Sequence, residues 1–331
     1  MELFRGVNVD WLRLKWYFLS FSLIFSVAGL ISMGMHMRTI GSPVPLGVDF
    51  KGGTQVQVQF DQTPDTNRIR QAMAAAGIRD ASIVTYDVAS NNEVLISLPE
   101  QQNESSLDAG RQQIMDALRS HYDSNIGPRN VRNVQVVGPT VGKQLEKQAL
   151  LATLYSMLGM LVYLWFRFQL IYGVAAVVAC FHDTLITVGA FALLNKEISL
   201  TVIAAILTLV GYSMNDTIVV FDRIRENLRL SRRESLPDVV NRSINQTLSR
   251  TVLTSGLTFL TVLSLFLFGG EVLHGFSLAL VIGIIIGTYS SIFIASPMLV
   301  AYQNWRGNKA RRGVSTKAAD TTRREKVKIK A

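Results

Sequence analysis

Cysteine is almost absent from this chain. The single Cys180 excludes an intrachain disulfide, and its place inside an apolar run gives it a packing role. Histidine is scarce too: His36, His121, His182 and His274 are scattered and lack metal-ligand spacing. Charge is thin, with 17% of the 331 residues ionic against 49% hydrophobic. The glycine pair in Lys51-Gly52-Gly53-Thr54 is not a phosphate loop, because the Gly-x4-Gly-Lys-Ser/Thr pattern is missing. With no nucleophile–base set, metal cluster or nucleotide loop in view, an enzyme is the least favoured class, and neither a cofactor nor a nucleic-acid partner is expected.

The chain does contain apolar runs long enough to cross a bilayer, which takes about 20 helical residues. Six are expected, near 16–35, 149–166, 170–194, 198–221, 251–268 and 276–302. The first follows basic residues but is too long for a secretory signal and has no Ala-x-Ala cleavage site behind it, so it reads as a retained anchor. The net charge of +9 matters less than its placement, because orientation follows Lys and Arg near the span ends. Arg5, Arg13, Lys15, Arg167, Arg223, Arg225, Arg229, Arg232, Arg233, Arg242, Arg306, Lys309, Arg311 and Arg312 all fall on one side if six spans are correct. The opposite short loops hold only Lys196 with Glu197, and Glu271 with His274. Both termini are therefore expected in the cytoplasm.

A polar block separates the first two spans. After a turn-rich linker from Gly41 to Pro45, Val56, Val58 and Phe60 alternate with Gln55, Gln57 and Gln59, the period-two signature of a half-buried strand. A helix from Asn67 to Ala76 stops at Gly77; strands Ser82–Tyr86 and Glu93–Leu98 flank the turn-prone Ser90-Asn91-Asn92; a helix from about Ser106 to His121 buries Leu107, Ile114 and Leu118; a last strand covers Val131–Val137. That order is the split βαβ, or ferredoxin-like, arrangement. Asp49, Asp87 and Glu93 read as solvated surface carboxylates. The fold class expected is thus an α-helical membrane protein of six transmembrane helices with an extracytoplasmic ferredoxin-like α+β domain between the first two. Its parts are 1–35 (cytoplasmic N-terminus and first helix), 36–147 (the external domain), 148–303 (the other five helices) and 304–331 (a basic cytoplasmic tail).

Charges inside the apolar runs need a reason. A charge in hydrocarbon costs roughly 2.5–3.5 kcal/mol on insertion scales, so Asp216, beside Asn215 at the end of the fourth run, is expected to face protein or water and to have a partner or hold a proton. The best partner in the sequence is Arg250, which opens the fifth run on the same side of the membrane. Thr254, Thr258 and Thr261 share a helical face with Arg250; interhelical packing is the favoured reading of this stripe over a wet path. His182-Asp183 lies roughly 20 Å deep in the third run, where Asp183 is either a proton-carrying site or a structural hydrogen-bonding group. In the sixth run Gly283 and Gly287 have the close-packing Gly-x3-Gly spacing.

Five motifs together carry a resemblance. They are Gly47-Val-Asp-Phe-Lys-Gly-Gly-Thr54, Val137-Gly-Pro-Thr-Val-Gly142, His182-Asp183, the run from Gly211 to Glu226 containing Asn215-Asp216, and Asn245-Gln-Thr-Leu-Ser-Arg-Thr251. The chain through its sixth span resembles the SecF family, the smaller subunits of the bacterial SecD–SecF protein-export complex, itself similar to resistance–nodulation–division transporters. The resemblance implies a twelve-span assembly with SecD in the inner membrane beside the SecYEG channel, with YajC and YidC as further candidate partners. It implies use of the proton-motive force to help draw a translocating polypeptide outward. It also implies that Asp216 and Arg250 are proton-pathway residues; His182 and Asp183 match the family's third-span pattern, and Asn215 stands with Asp216 in its motif. Two rivals remain on the sequence alone: a small-molecule or lipid exporter of the same superfamily, and a non-conducting translocon scaffold.

Overall fold

The computed structural model describes residues 8–78, 81–86, 92–98, 109–168, 170–231, 234–270, 273–302, 304 and 305. Asp87, Leu107, the first part of the helix expected from Ser106, and the basic tail from 306 onward lie outside these residues.

Six helices among the described residues are long and apolar enough to cross a membrane. They are α1 (Trp11–Ile40), α5 (Pro139–Arg167), α6 (Leu170–Leu193), α7 (Leu200–Leu230), α8 (Leu236–Phe268) and α9 (His274–Ser290), the last continuing through a π turn at Ser291–Ala295 to Tyr302. Several are longer than the apolar runs inside them. With 31 residues α7 is about 46 Å long, beyond a hydrocarbon layer of about 30 Å, so Arg223, Arg225 and Arg229 fall on its overhang.

Half or more of the most apolar stretch is buried in α6 (50%), α7 (50%) and α9 (56%), against 11% in α1, 6% in α5 and 17% in α8. The first three therefore form the middle of the bundle. Their small residues make this possible: Ala175, Ala176 and Ala179 on α6, and Ala205 and Ser213 on α7, are all buried. At one edge α1 and α6 touch backbone to backbone, since a Cβ on Gly29 would lie 2.9 Å from the Cα of Gly189. The π turn has a local cause. Pro297 cannot donate to the carbonyl of Phe293 and its ring crowds that turn, so the helix widens just before it, while Ser296 Oγ donates to the Ser291 carbonyl at 2.9 Å.

Between α1 and α5 come α2 (Val48–Lys51), β1 (Gly53–Gln59), α3 (Thr66–Ala75), β2 (Ser82–Tyr86), β3 (Glu93–Leu98), α4 (Ala109–His121) and β4 (Val131–Val137). The strands form one antiparallel sheet in the order β2-β3-β1-β4. Alternation along β1 puts Val56 and Val58 into a core with Ile69 and Met73 of α3 and Ile114 and Leu118 of α4. Asp65 caps α3 by accepting from the backbone N–H of Asn67 at 2.9 Å.

One expectation for this region needs correction. Asp49 is not solvated: it is 8% exposed, its Oδ1 accepting from Gln135 Nε2 at 2.6 Å and its Oδ2 from the backbone N–H of Leu200 at 2.8 Å. The reason lies at the far end of the second contact. The first N–H groups of α7 have no intrahelical acceptor and carry the positive end of the helix dipole, so a carboxylate is drawn there. Glu93 is half-exposed and accepts from Gln57 Nε2 at 2.7 Å.

Candidate functional site

Asp183 sits thirteen positions beyond Leu170 and ten before Leu193, close to the middle of α6, and its exposure is 0%. Three neighbours meet it. Ser213 Oγ of α7 donates to Oδ2 at 2.5 Å, Ser290 Oγ of α9 donates to the same oxygen at 2.7 Å, and His182 Nδ1 lies 3.0 Å from Oδ1. On its other side, His182 Nε2 is hydrogen-bonded to Ser22 Oγ of α1. An ionised Asp183 only accepts, which places the imidazole hydrogen on Nδ1 and leaves Nε2 to accept from Ser22. One carboxylate thus joins α6, α7 and α9 directly and α1 through the imidazole.

The sequence builds this junction by leaving room for it. A Cβ on Gly287 would lie 3.0 Å from Ser213 Cβ and 3.2 Å from its Oγ, so the glycine lets α7 bring Ser213 between α9 and α6. One turn away, a Cβ on Gly283 would lie 2.5 Å from the Leu209 methyl groups. The Gly-x3-Gly pair is therefore the α7-facing surface of α9. Beside it, the Tyr289 hydroxyl donates to the carbonyl of Phe18 at 2.7 Å, a second tie to α1.

Asp216 lies one turn along α7 from Ser213, on the same face, and is 3% exposed. Its Oδ2 accepts from Ser255 Oγ of α8 at 2.7 Å. Arg250, five positions earlier on α8, is exposed; its charge acts on Asp216 through space, and no direct ion pair joins the two among the described residues. Asn215 is exposed on α7 and is not brought into either carboxylate's surroundings. Ala204, Thr208, Gly211 and Asn215 form an exposed stripe of α7 at helical spacing; Arg250, Thr254, Thr261 and Ser264 form one on α8. Thr254 donates to the carbonyl of Arg250 at 3.0 Å, Thr258 to that of Thr254 at 2.9 Å and Thr261 to that of Leu257 at 3.0 Å, so each hydroxyl is satisfied by its own helix.

The structure thus brings His182 and Asp183 together, gives Asp216 a serine, and leaves Asn215 and Arg250 on the outer face of the bundle. Sequence reasoning missed Ser22, Ser213, Ser255 and Ser290. The signal for Ser213 was available: it stands three positions before Asp216, on the same helical face. Among the described residues no group of three or more His, Cys, Asp and Glu side chains is placed to hold a metal ion.

Comparison with known proteins gives a consistent result. Residues 118–305 match the family described as "Protein export membrane protein SecD/SecF, C-terminal", and residues 40–64 match the "SecD/SecF GG Motif". The chain is 55% identical to the protein translocase subunit SecF of Koribacter versatilis, over 100% of both chains. It is 43% identical to the SecF subunit of Desulfurispirillum indicum, over 90% of this chain and 93% of that one. Among solved structures it resembles SecDF of Thermus thermophilus, a translocon-associated membrane protein, with a TM-score of 0.79 and 35% identity over 92% of this chain. A super-membrane-facing form of SecDF gives a TM-score of 0.65 at 34% identity over 93% of this chain. In both cases the match spans only 40% of the solved SecDF chain.

Proposed function

Because this chain belongs to the SecF family of protein translocase subunits and serves protein export, we propose that it does so as a proton-driven partner of SecD, assisting polypeptide passage through the SecYEG channel. The observation that carries this reading is the pair of buried carboxylates, Asp183 and Asp216, each held by serine hydroxyls from neighbouring spans and meeting α7 at positions one helical turn apart, Ser213 and Asp216 itself. Intramembrane carboxylates are costly and mark ion pathways. A proton arriving at Asp216 removes its attraction to Arg250 and gives the carboxyl an O–H that needs an acceptor, while its other oxygen can still accept from Ser255. One charge crossing 100 mV supplies about 2.3 kcal/mol, the scale of a few such hydrogen bonds. His182 extends the chain of polar groups from Asp183 toward α1.

The partner reading has its own support. Arg250, Asn215, Thr208 and Thr254 are exposed within spans, and an arginine facing lipid costs roughly 2.5–3.5 kcal/mol on insertion scales, which SecD spans laid over this surface would relieve. The chain itself is a multi-pass membrane protein. We place it in the inner membrane with both termini cytoplasmic, since Arg167, Arg225 and Arg229 gather at the end of the bundle away from the sheet. The 36–147 unit is then a ferredoxin-like domain on the outer side, 148–303 carries the remaining spans and 304–331 a cytoplasmic tail. YajC and YidC remain candidate partners. The role is transport rather than catalysis.

The test is secretion into inverted membrane vesicles with and without a proton gradient. Asp216→Asn should abolish the stimulation by the gradient while leaving the ATP-driven part intact. Full stimulation in the variant contradicts the proposal.

A further inference from the structure

Among the described residues, and beside the buried apolar cluster that Phe50 shares with Phe191, Ile198 and Val202, three close backbone or polar contacts join the outer domain to the membrane bundle. Gly47 N donates to the carbonyl of Ile198 at 2.9 Å and Ile198 N donates to that of Pro45 at 2.8 Å, forming a short parallel bridge between the linker after α1 and the loop before α7. A Cβ on Gly142 would lie 2.5 Å from the carbonyl oxygen of Phe50, so α2 rests directly on the first turn of α5. The third contact is Asp49, which connects the sheet to the first turn of α7, the span that holds Asp216. One carboxylate oxygen takes Gln135 of β4 and the other takes the first backbone N–H of α7.

From this geometry we infer that Asp49 is a positioning residue, the joint through which the sheet of the outer domain and α7 move as one piece. The inference rests on the proton-driven reading above, because it assigns the route by which a change at Ser213 and Asp216 reaches the domain. A helix is stiff along its axis. Leu200 lies sixteen positions from Asp216, about 24 Å along α7, and an axial or tilting shift at one end appears at the other. A dual acceptor suits this role, since Asp49 is held from above by a side-chain amide and from below by a backbone amide. Folding of α7 does not depend on it, since Ser199 Oγ accepts from Val202 N at 3.4 Å as a separate cap. The carboxylate in Gly47-Val-Asp-Phe-Lys-Gly-Gly-Thr54 thereby acquires a role, and so do the glycines after it: Gly52 (φ 75°) and Gly53 (φ 125°) turn the chain back into β1 directly beyond the joint.

The experiment uses the full chain with SecD in proteoliposomes, in a Cys180→Ala background. Spin labels at Gln112→Cys on α4 and Leu194→Cys at the end of α6 report the domain-to-bundle distance with and without a proton gradient. In parallel, amide exchange is read at Leu200. Asp49→Ala should keep its melting temperature within a few degrees, raise exchange at Leu200 at least tenfold, and lose the gradient-dependent distance change. Asp49→Asn should retain much of that change, because Asn Oδ1 accepts from Leu200 and a turned Gln135 amide accepts from Asn Nδ2. Gln135→Leu, which leaves α7 untouched, should lose it as Asp49→Ala does. A full distance change in both Asp49→Ala and Gln135→Leu overturns the inference, and so does unaltered protection of Leu200 in Asp49→Ala. Asp216→Asn separates the two claims: a distance change that survives it sinks the proton-driven reading, and the exchange at Leu200 then decides on the joint alone.

Discussion

Ser290 Oγ lies 2.7 Å from Asp183 Oδ2, joining α9 to α6 at the last residue before α9 widens into its π turn. Ser213 reaches the same oxygen at 2.5 Å, so three central spans converge on one atom of one carboxylate. A single buried acceptor with donors from separate helices is a sensitive place. Any change in its charge or protonation alters the bonds between spans at once, and the adjoining π turn is a segment whose hydrogen bonding already departs from the regular helix.

Removing one donor should show how tightly the spans are coupled. Ser213→Ala and Ser290→Ala should each lower stability by about 1–3 kcal/mol, the cost of stripping a partner from a buried polar group. Their double variant should depart from additivity because both hydroxyls serve Asp183 Oδ2. Thermal unfolding in detergent checks both statements.

Gly287→Ala should be more harmful than its size suggests. The new methyl would press on Ser213 at 3.0 Å and move its hydroxyl away from Asp183, costing about 1–3 kcal/mol by overpacking. Gly283→Ala meets instead the buried Leu209 side chain, with both methyls 2.5 Å from the new Cβ, so it costs packing without displacing a donor to Asp183. Secretion assays should therefore separate the two, with Gly287→Ala the weaker exporter at equal protein level.

The exposed polar stripes should be covered when SecD is present. A cysteine at Thr254, in a Cys180→Ala background, is expected to react readily with a membrane-permeant maleimide in the isolated subunit. Coexpression with SecD should protect it at least tenfold, whereas a cysteine at Leu158, on the exposed face of α5, should react equally in both cases.

Much of the architecture was legible because it rests on periodicity. The alternation Val56-Gln57-Val58 and the apolar runs announced β1 and the spans directly, and the strand limits Glu93–Leu98 and Val131–Val137 follow from their flanking turns. Asp183 was visible as a deep carboxylate, yet its partners were not, since Ser22, Ser213 and Ser290 come from three other helices and long-range pairing leaves no local pattern. The Asp216–Arg250 pairing drawn from sequence relied on both lying near one side of the membrane; the rotation of α8 about its axis, which turns Ser255 inward and Arg250 outward, is set by packing. Asp49 was misread for a related reason. A surface carboxylate and a carboxylate aimed at a distant helix N-terminus look alike until the fold brings Leu200 beside it.

Infrared difference spectroscopy on the subunit with SecD in proteoliposomes tests the central claim most directly, by watching the carboxyl groups as a proton gradient is applied. The account predicts a protonated-carboxyl C=O band that rises with the gradient, vanishes in Asp216→Asn, and shifts in Ser255→Ala because that hydroxyl bonds the same side chain. A spectrum with no gradient-dependent carboxyl band, or one unchanged by Asp216→Asn and by Asp183→Asn, would contradict it.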